Sequence, residues 1–143
     1  MSAALYNADI LRLATAIPHL SRLSDPAGTA ERRSPICGSR VIVDVALADD
    51  GRVADLGLEV RACALGQASS ALMARHAIGR DFAELESARN ALTAFLAGER
   101  DDPGKWPGLE IFAAAVPHKA RHASIRLAFE AAAEAVANAR VSA

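Results

Sequence analysis

The fold is decided by Arg40-Val41-Ile42-Val43-Asp44-Val45-Ala46-Leu47, by Asp49-Asp50-Gly51 after it, and by Leu56-Gly57-Leu58-Glu59-Val60-Arg61 beyond. Val41, Val43, Val45 and Leu47 alternate with other residues, and the alternation resumes at Leu56, Leu58 and Val60. A period of two marks a strand with one buried face, and the Asp-Gly pair between the two runs marks a tight turn. The stretch 40–61 therefore reads as a β-hairpin. With Asp50 and Gly51 as the loop, facing positions sum to 101, which pairs Val41 with Val60, Val43 with Leu58 and Val45 with Leu56. The apolar faces of the two strands then coincide.

Working outward, Cys37 precedes the first strand and Cys63 follows the second, at similar distances from the turn. Paired strands lie about 5 Å apart, so the two thiols reach the open end of the hairpin together and could share one ion. Cys63 also opens a helix, Cys63 to Ala77, with Leu65, Ala68, Leu72 and Met73 facing inward and Gly79 as its cap. Unpaired backbone N–H groups and the helix dipole at such a position favour the thiolate, the form that binds metals.

The remaining elements are helical. Tyr6 to Ile17 has apolar residues at helical spacing before Pro18, and Asp81 is a good N-cap for a helix to Leu96 with Phe82, Leu85, Ala88, Leu92 and Phe95 on one stripe. Gly98 to Gly108 reads as a surface loop, Leu109 to Val116 as a short helix, and His118 to Arg140 as a final Ala-rich helix. Ser21 to Ser34 has no period and reads as a loop containing a short edge strand at Thr29 to Arg33. A two-stranded hairpin is marginal alone, so helices must cover it. The expected fold class is α+β, a small antiparallel sheet (hairpin 40–61 plus the edge strand near 29–33) covered by about five helices, as one domain over 1–143.

Composition sets the outer limits. The 143 residues carry 16 basic and 17 acidic side chains, a balance that gives no global pull toward nucleic acid or membrane. Two cysteines do not make a disulfide framework, and no leader-like segment precedes the first helix, so a reducing, cytoplasmic setting is expected. No apolar run approaches the roughly 20 residues of a membrane span. Ser69 and Ser70 lack a base partner or nucleophile turn and read as packing residues; Asp49, Asp50 and Asp55 read as turn chemistry. His118 and His122 form a helical i, i+4 pair, a spacing able to hold a metal, while His19 and His76 have no such context. Lys119 and Arg121 read as a solvated face.

In order and spacing the chain resembles the U-type iron-sulfur cluster scaffold family, comprising IscU, SufU and the amino-terminal domain of NifU. Ser34-Pro35-Ile36-Cys37-Gly38 is similar to the family's first Cys-Gly motif, and Ala62-Cys63-Ala64 with Gln67-Ala68-Ser69-Ser70-Ala71-Leu72-Met73 to its second cysteine and Ser/Ala-rich helix. Ile78-Gly79-Arg80-Asp81-Phe82-Ala83-Glu84-Leu85 resembles the family's glycine, basic residue and acidic helix start. Pro117-His118-Lys119-Ala120-Arg121-His122-Ala123-Ser124-Ile125 occupies the segment of its third cysteine.

There are two departures. Ser39 stands where the family has an aspartate ligand, and a neutral hydroxyl is a poor ligand. The third cysteine is absent: an ungapped alignment puts His122 there, whereas matching His-Cys-Ser-Ile to His122-Ala123-Ser124-Ile125 puts Ala123 there. Neither residue can accept persulfide sulfur from a cysteine desulfurase. The resemblance thus implies a non-catalytic scaffold or carrier in which Cys37, Cys63 and His122 hold an iron-sulfur cluster or zinc, a donor set suited to either. It implies a cysteine desulfurase and other iron-sulfur assembly factors as partners, with the chain a monomer or weak homo-oligomer. The competing expectation is an interaction or regulatory paralogue on the same fold that binds such a partner without metal. A zinc enzyme ranks third, lacking an evident general base.

Overall fold

A computed structural model describes residues 5–35 and 38–142. The elements run α1 (Ala8–Ala14), β1 (Gly28–Arg33), β2 (Arg40–Leu47), β3 (Val53–Arg61), α2 (Ala64–Ala77), α3 (Phe82–Leu96), a 3-10 helix (Leu109–Ala115), a single 3-10 turn (Lys119–Arg121) and α4 (His122–Ser142). The strands form one antiparallel sheet in the order β1-β2-β3, an α+β arrangement as expected. Among the described residues, no helix is long and apolar enough to cross a membrane.

The hairpin register matches the sequence reading: Val41 faces Val60, Val43 faces Leu58 and Val45 faces Leu56. The turn reaches that register by a different route. Ala48 N–H donates to the Arg52 carbonyl (2.8 Å) and Gly51 N–H to the Ala48 carbonyl (2.9 Å), so the loop is Asp49-Asp50-Gly51, with Gly51 at φ 84°. A three-residue loop of this type needs a left-handed third residue, which glycine supplies without strain. Leu47 then pairs with Val53 and Ala46 with Asp55, leaving Ala54 as a bulge. The bulge lets Val53 and Leu56, three positions apart, both turn inward, at 2% and 3% exposure.

Both faces of the sheet are covered. On the inner face Val41, Val43, Val45, Leu56 and Leu58 are buried, with α4 packed on β1 and β2 and α2 on β3, and α4 also packs on α2 and α3. Each such side chain contributes roughly 1.5–3 kcal/mol of burial, and a one-residue slip would turn them all outward. The outer face is crossed by the chain at 19–23: Leu58 N–H donates to the His19 carbonyl (2.9 Å). A Cβ on Gly57 would stand 2.4 Å from the Ser21 carbonyl oxygen, so only glycine admits this crossing.

Under that crossing lies Asp44, the outward residue in the middle of β2, with its side chain fully buried. Arg22 donates to it through Nε (2.6 Å) and Nη2 (3.1 Å), the Leu23 N–H at 3.0 Å and the Thr29 hydroxyl at 2.7 Å. Burial alone would raise its pKa, but these donors more than offset that and hold the carboxyl below its usual range.

The five expected helical segments are all present. The first is shorter than predicted, capped by Asn7, whose side chain accepts the Ile10 N–H, and ended at Thr15. α3 begins with a complete Asp81/Glu84 capping box. α2 ends at Ile78 and Gly79 (φ 90°), which carry a type II turn closed by Arg80 N–H to the Ala77 carbonyl at 3.0 Å. The fourth segment is a 3-10 helix. The loop 98–108 is not wholly surface: Trp106 is 5% exposed, donates Nε1–H to the Leu72 carbonyl (2.9 Å) and meets Phe129 edge-on at 5.3 Å.

Candidate functional site

Cys63 is the N-cap residue of α2, with extended backbone (φ −66°, ψ 171°) and a half-buried side chain that makes no capping hydrogen bond. Its carbonyl accepts the Gln67 N–H at 2.9 Å, so the backbone is committed to the helix while the sulfur is not. Cys37 lies outside the described residues. The chain on either side of it is fixed: Ser34 N–H donates to the Ser39 carbonyl (2.9 Å) and Gly38 N–H to the Ser34 carbonyl (3.1 Å), which closes 34–39 into a loop. Arg40 pairs with Arg61 as the last rung of the hairpin, so this loop and the Ala62-Cys63 segment leave the same end of the sheet.

The start of α4 packs into that end. A Cβ on Gly66, in the first turn of α2, would lie 2.7 Å from the Ala62 Cβ and 3.2 Å from the Ser124 carbonyl oxygen. Ser69 donates to the Ile125 carbonyl (2.6 Å), Ser70 to the Gly66 carbonyl (2.8 Å), and Ser39 and Ser124 share a hydroxyl contact of 3.3 Å. The β1–β2 loop, the Cys63 helix start and the His122 helix start thus meet at a buried serine seam. Ser69 and Ser70 serve packing, in line with the reading of them as packing residues.

His122 is 7% exposed, with Nε2 at 2.8 Å from the Ala115 carbonyl oxygen and 3.0 Å from that of Val116. A nitrogen facing two acceptors carries the proton, which leaves Nδ1 as the only ring atom with a lone pair to offer a metal. The expected His118–His122 helical pair does not form, because His118 precedes the 3-10 turn 119–121 and lies outside α4. Among the described residues, no three His, Cys, Asp or Glu side chains come together as a metal site.

The surroundings are cationic. Arg33, Arg40 and Arg61 face one another in a single cross-strand row beside the site. Like charges so placed are unfavourable, and the next row offsets them: Glu59 bonds Arg40 at 2.7 Å and Glu31 pairs with Arg33. Lys119 and Arg121 are exposed, and Asp50 accepts the Arg52 N–H (3.1 Å) as a turn residue should. His76 packs against Trp106, with burial and then Arg80 and Arg75 pushing its pKa down, and His19 acts through its carbonyl. The close approach of Ser124 to Gly66 has no local mark in the sequence. Their signal would have been small residues in register at two helix starts distant along the chain.

The family model described as the NifU-like N terminal domain matches residues 5–141. A crystal structure of a nitrogen-fixing NifU-like protein (N-terminal) from Brucella abortus is 38% identical, with 97% of this chain and 96% of that one covered and a TM-score of 0.91. A candidate iron-sulfur cluster assembly scaffold protein for the SUF system from Fervidobacterium islandicum AW-1 is 18% identical over 92% of this chain and 96% of that one, with a TM-score of 0.84, which speaks for the fold. No curated protein matches the sequence.

Proposed function

The chain belongs to the NifU-like N-terminal domain family, and from that premise we propose that it is a non-catalytic scaffold or carrier in iron-sulfur cluster assembly. Cys37 and Cys63 are its sulfur ligands, His122 through Nδ1 its third donor, and the cargo is an iron-sulfur cluster or zinc. Two sulfurs and an imidazole suit either cargo. The observation that carries the reading is Cys63 itself, held at a helix start with its sulfur unspent on capping, where the β1–β2 loop and the start of α4 converge. A fourth ligand comes from water, a partner or another subunit.

With His122 and Ala123 in the third-cysteine segment, persulfide is not accepted there. The protein therefore holds metal or a preformed cluster, acting as one cytoplasmic domain with a cysteine desulfurase or other assembly factor as partner. Metal analysis after anaerobic purification tests this. Stoichiometric zinc or iron, lost in Cys37→Ala and in Cys63→Ala, is expected; metal-free wild-type protein under reducing, anaerobic conditions would sink it. Unchanged metal affinity in His122→Ala would remove His122 from the ligand set.

The second reading, an interaction or regulatory paralogue without metal, is favoured by one observation: His122 Nε2 is already engaged by two backbone carbonyls, a purely structural use of the ring. A partner bound equally well by wild type and by Cys37→Ala/Cys63→Ala would support it.

A further inference from the structure

β1 is an edge strand whose free side is bounded at both ends. Ser34 N–H donates to the Ser39 carbonyl one rung beyond the Arg33–Arg40 pair, so residues 30, 32 and 34 turn their backbone groups toward β2. Residues 29, 31 and 33 therefore turn theirs away from the sheet. The Thr29 carbonyl is taken by the Asn138 side chain at 2.9 Å, and Pro35 has no N–H to give. Glu31 and Arg33 remain, both exposed, and among the described residues nothing bonds their outward N–H and carbonyl groups.

Unpaired backbone groups on an edge are a template for another strand, and charged side chains restrict what that edge accepts. In antiparallel pairing of two copies, Glu31 against Glu31 and Arg33 against Arg33 are repulsive registers. Glu31 against Arg33 is attractive on both sides of a two-fold axis at Arg32, and it pairs every outward N–H and carbonyl of both residues. Arg32 meets its own copy at the axis, but Glu130 and Glu134 of α4 stand 3.8 and 3.7 Å from it and offset its charge. On that side Arg32 borders an open groove of about 440 Å³ walled by α3 and α4, which leaves room for the second side chain.

We infer that two copies of this chain pair through β1, Glu31 of each opposite Arg33 of the other, into one continuous sheet. The two hairpins then point in opposite directions, and both cysteine-bearing ends stay open to a partner. An interface this small binds weakly, so dimer and monomer exchange.

Sedimentation velocity of the purified chain between about 10 μM and about 1 mM tests this, with wild type compared to Glu31→Arg, Arg33→Glu and the double swap. Wild type is expected to dimerise reversibly, with concentration-dependent amide shifts in NMR spectra at Glu31 and Arg33. Each single variant sets like charges across the axis and should self-associate about ten-fold more weakly. The double swap should regain the dimer, as should an equimolar mixture of the two single variants, which misfolded chains would not do. A wild type monomeric throughout, single variants that dimerise as well as wild type, a double swap that stays monomeric, or amide shifts elsewhere would each overturn the inference.

Discussion

Replacing Asp44 by Asn keeps the shape of a fully buried carboxylate but removes its charge and puts an N–H donor where an acceptor stood. Four donors now converge on the two oxygens, two from Arg22 and one each from Leu23 and Thr29. The amide can accept from one side only, so about two of these bonds are lost, each worth roughly 1.5–3 kcal/mol to a charged acceptor. Relief of the cost of burying a charge returns part of that. A net loss of about 3 kcal/mol is expected, or roughly 10 °C in Tm for a chain of this size. Denaturant unfolding followed through the single tryptophan, Trp106, measures it. The sign with pH follows from the depressed folded pKa. The stabilisation is complete above the unfolded value of about 3.9 and is lost as pH falls through the folded value, so the gap between wild type and Asp44→Asn narrows in acid. A gap below about 1 kcal/mol at pH 7, or one that fails to shrink from pH 5 down to the lowest pH at which both proteins fold, would refute the reasoning.

Three further outcomes are expected. Gly66→Ala gains about 1 kcal/mol of helix propensity but drives a methyl into Ala62 and toward Ser124, for a net loss of about 1–2 kcal/mol; calorimetry showing a rise in Tm would contradict that packing. Trp106→Phe keeps an aromatic ring against Phe129 but removes the Nε1–H donor, while the Leu72 carbonyl keeps its place in the α2 ladder, and thermal unfolding should show a loss of about 0.5–1.5 kcal/mol. Asp81→Ala removes one side of a capping box and should cost about 1 kcal/mol in denaturant unfolding, with faster amide exchange confined to the first turn of α3.

Elements whose determinants lie within themselves were readable in sequence. Strand alternation gave the hairpin partners Val43 and Leu58, and Asp81 marked the start of α3. What escaped depends on distant partners. Asp44 looks like one more solvent-facing residue of an alternating strand, because nothing in its own period shows that Arg22 and the chain at 19–23 will cover it. Trp106 sits among Pro and Gly, and its anchor, the Leu72 carbonyl, is a backbone group that no side-chain pattern marks. At the candidate site, Cys63 was visible as a helix-start thiol, whereas the use of His122 Nε2 depends on where the end of the 3-10 helix places the Ala115 and Val116 carbonyls. The Ser39–Ser124 contact has no local signature at all.

The hairpin tip has a consequence for chain length. The loop Asp49–Gly51 and the bulge at Ala54 each withdraw one residue from the ladder, one from each strand, and so leave the partnership of Arg40 with Arg61 untouched. Removing Ala54 would merge the bulge into a regular ladder with Val53 and Leu56 still inward, and an added residue in the loop would project into solvent. The tip is thus a buffer in which insertions and deletions are absorbed about 25 Å from the open end. A residue inserted between Val41 and Val45 has no such refuge: it would turn every later side chain of β2 to the opposite face. Length can vary at one end of this hairpin because the other end must stay in step.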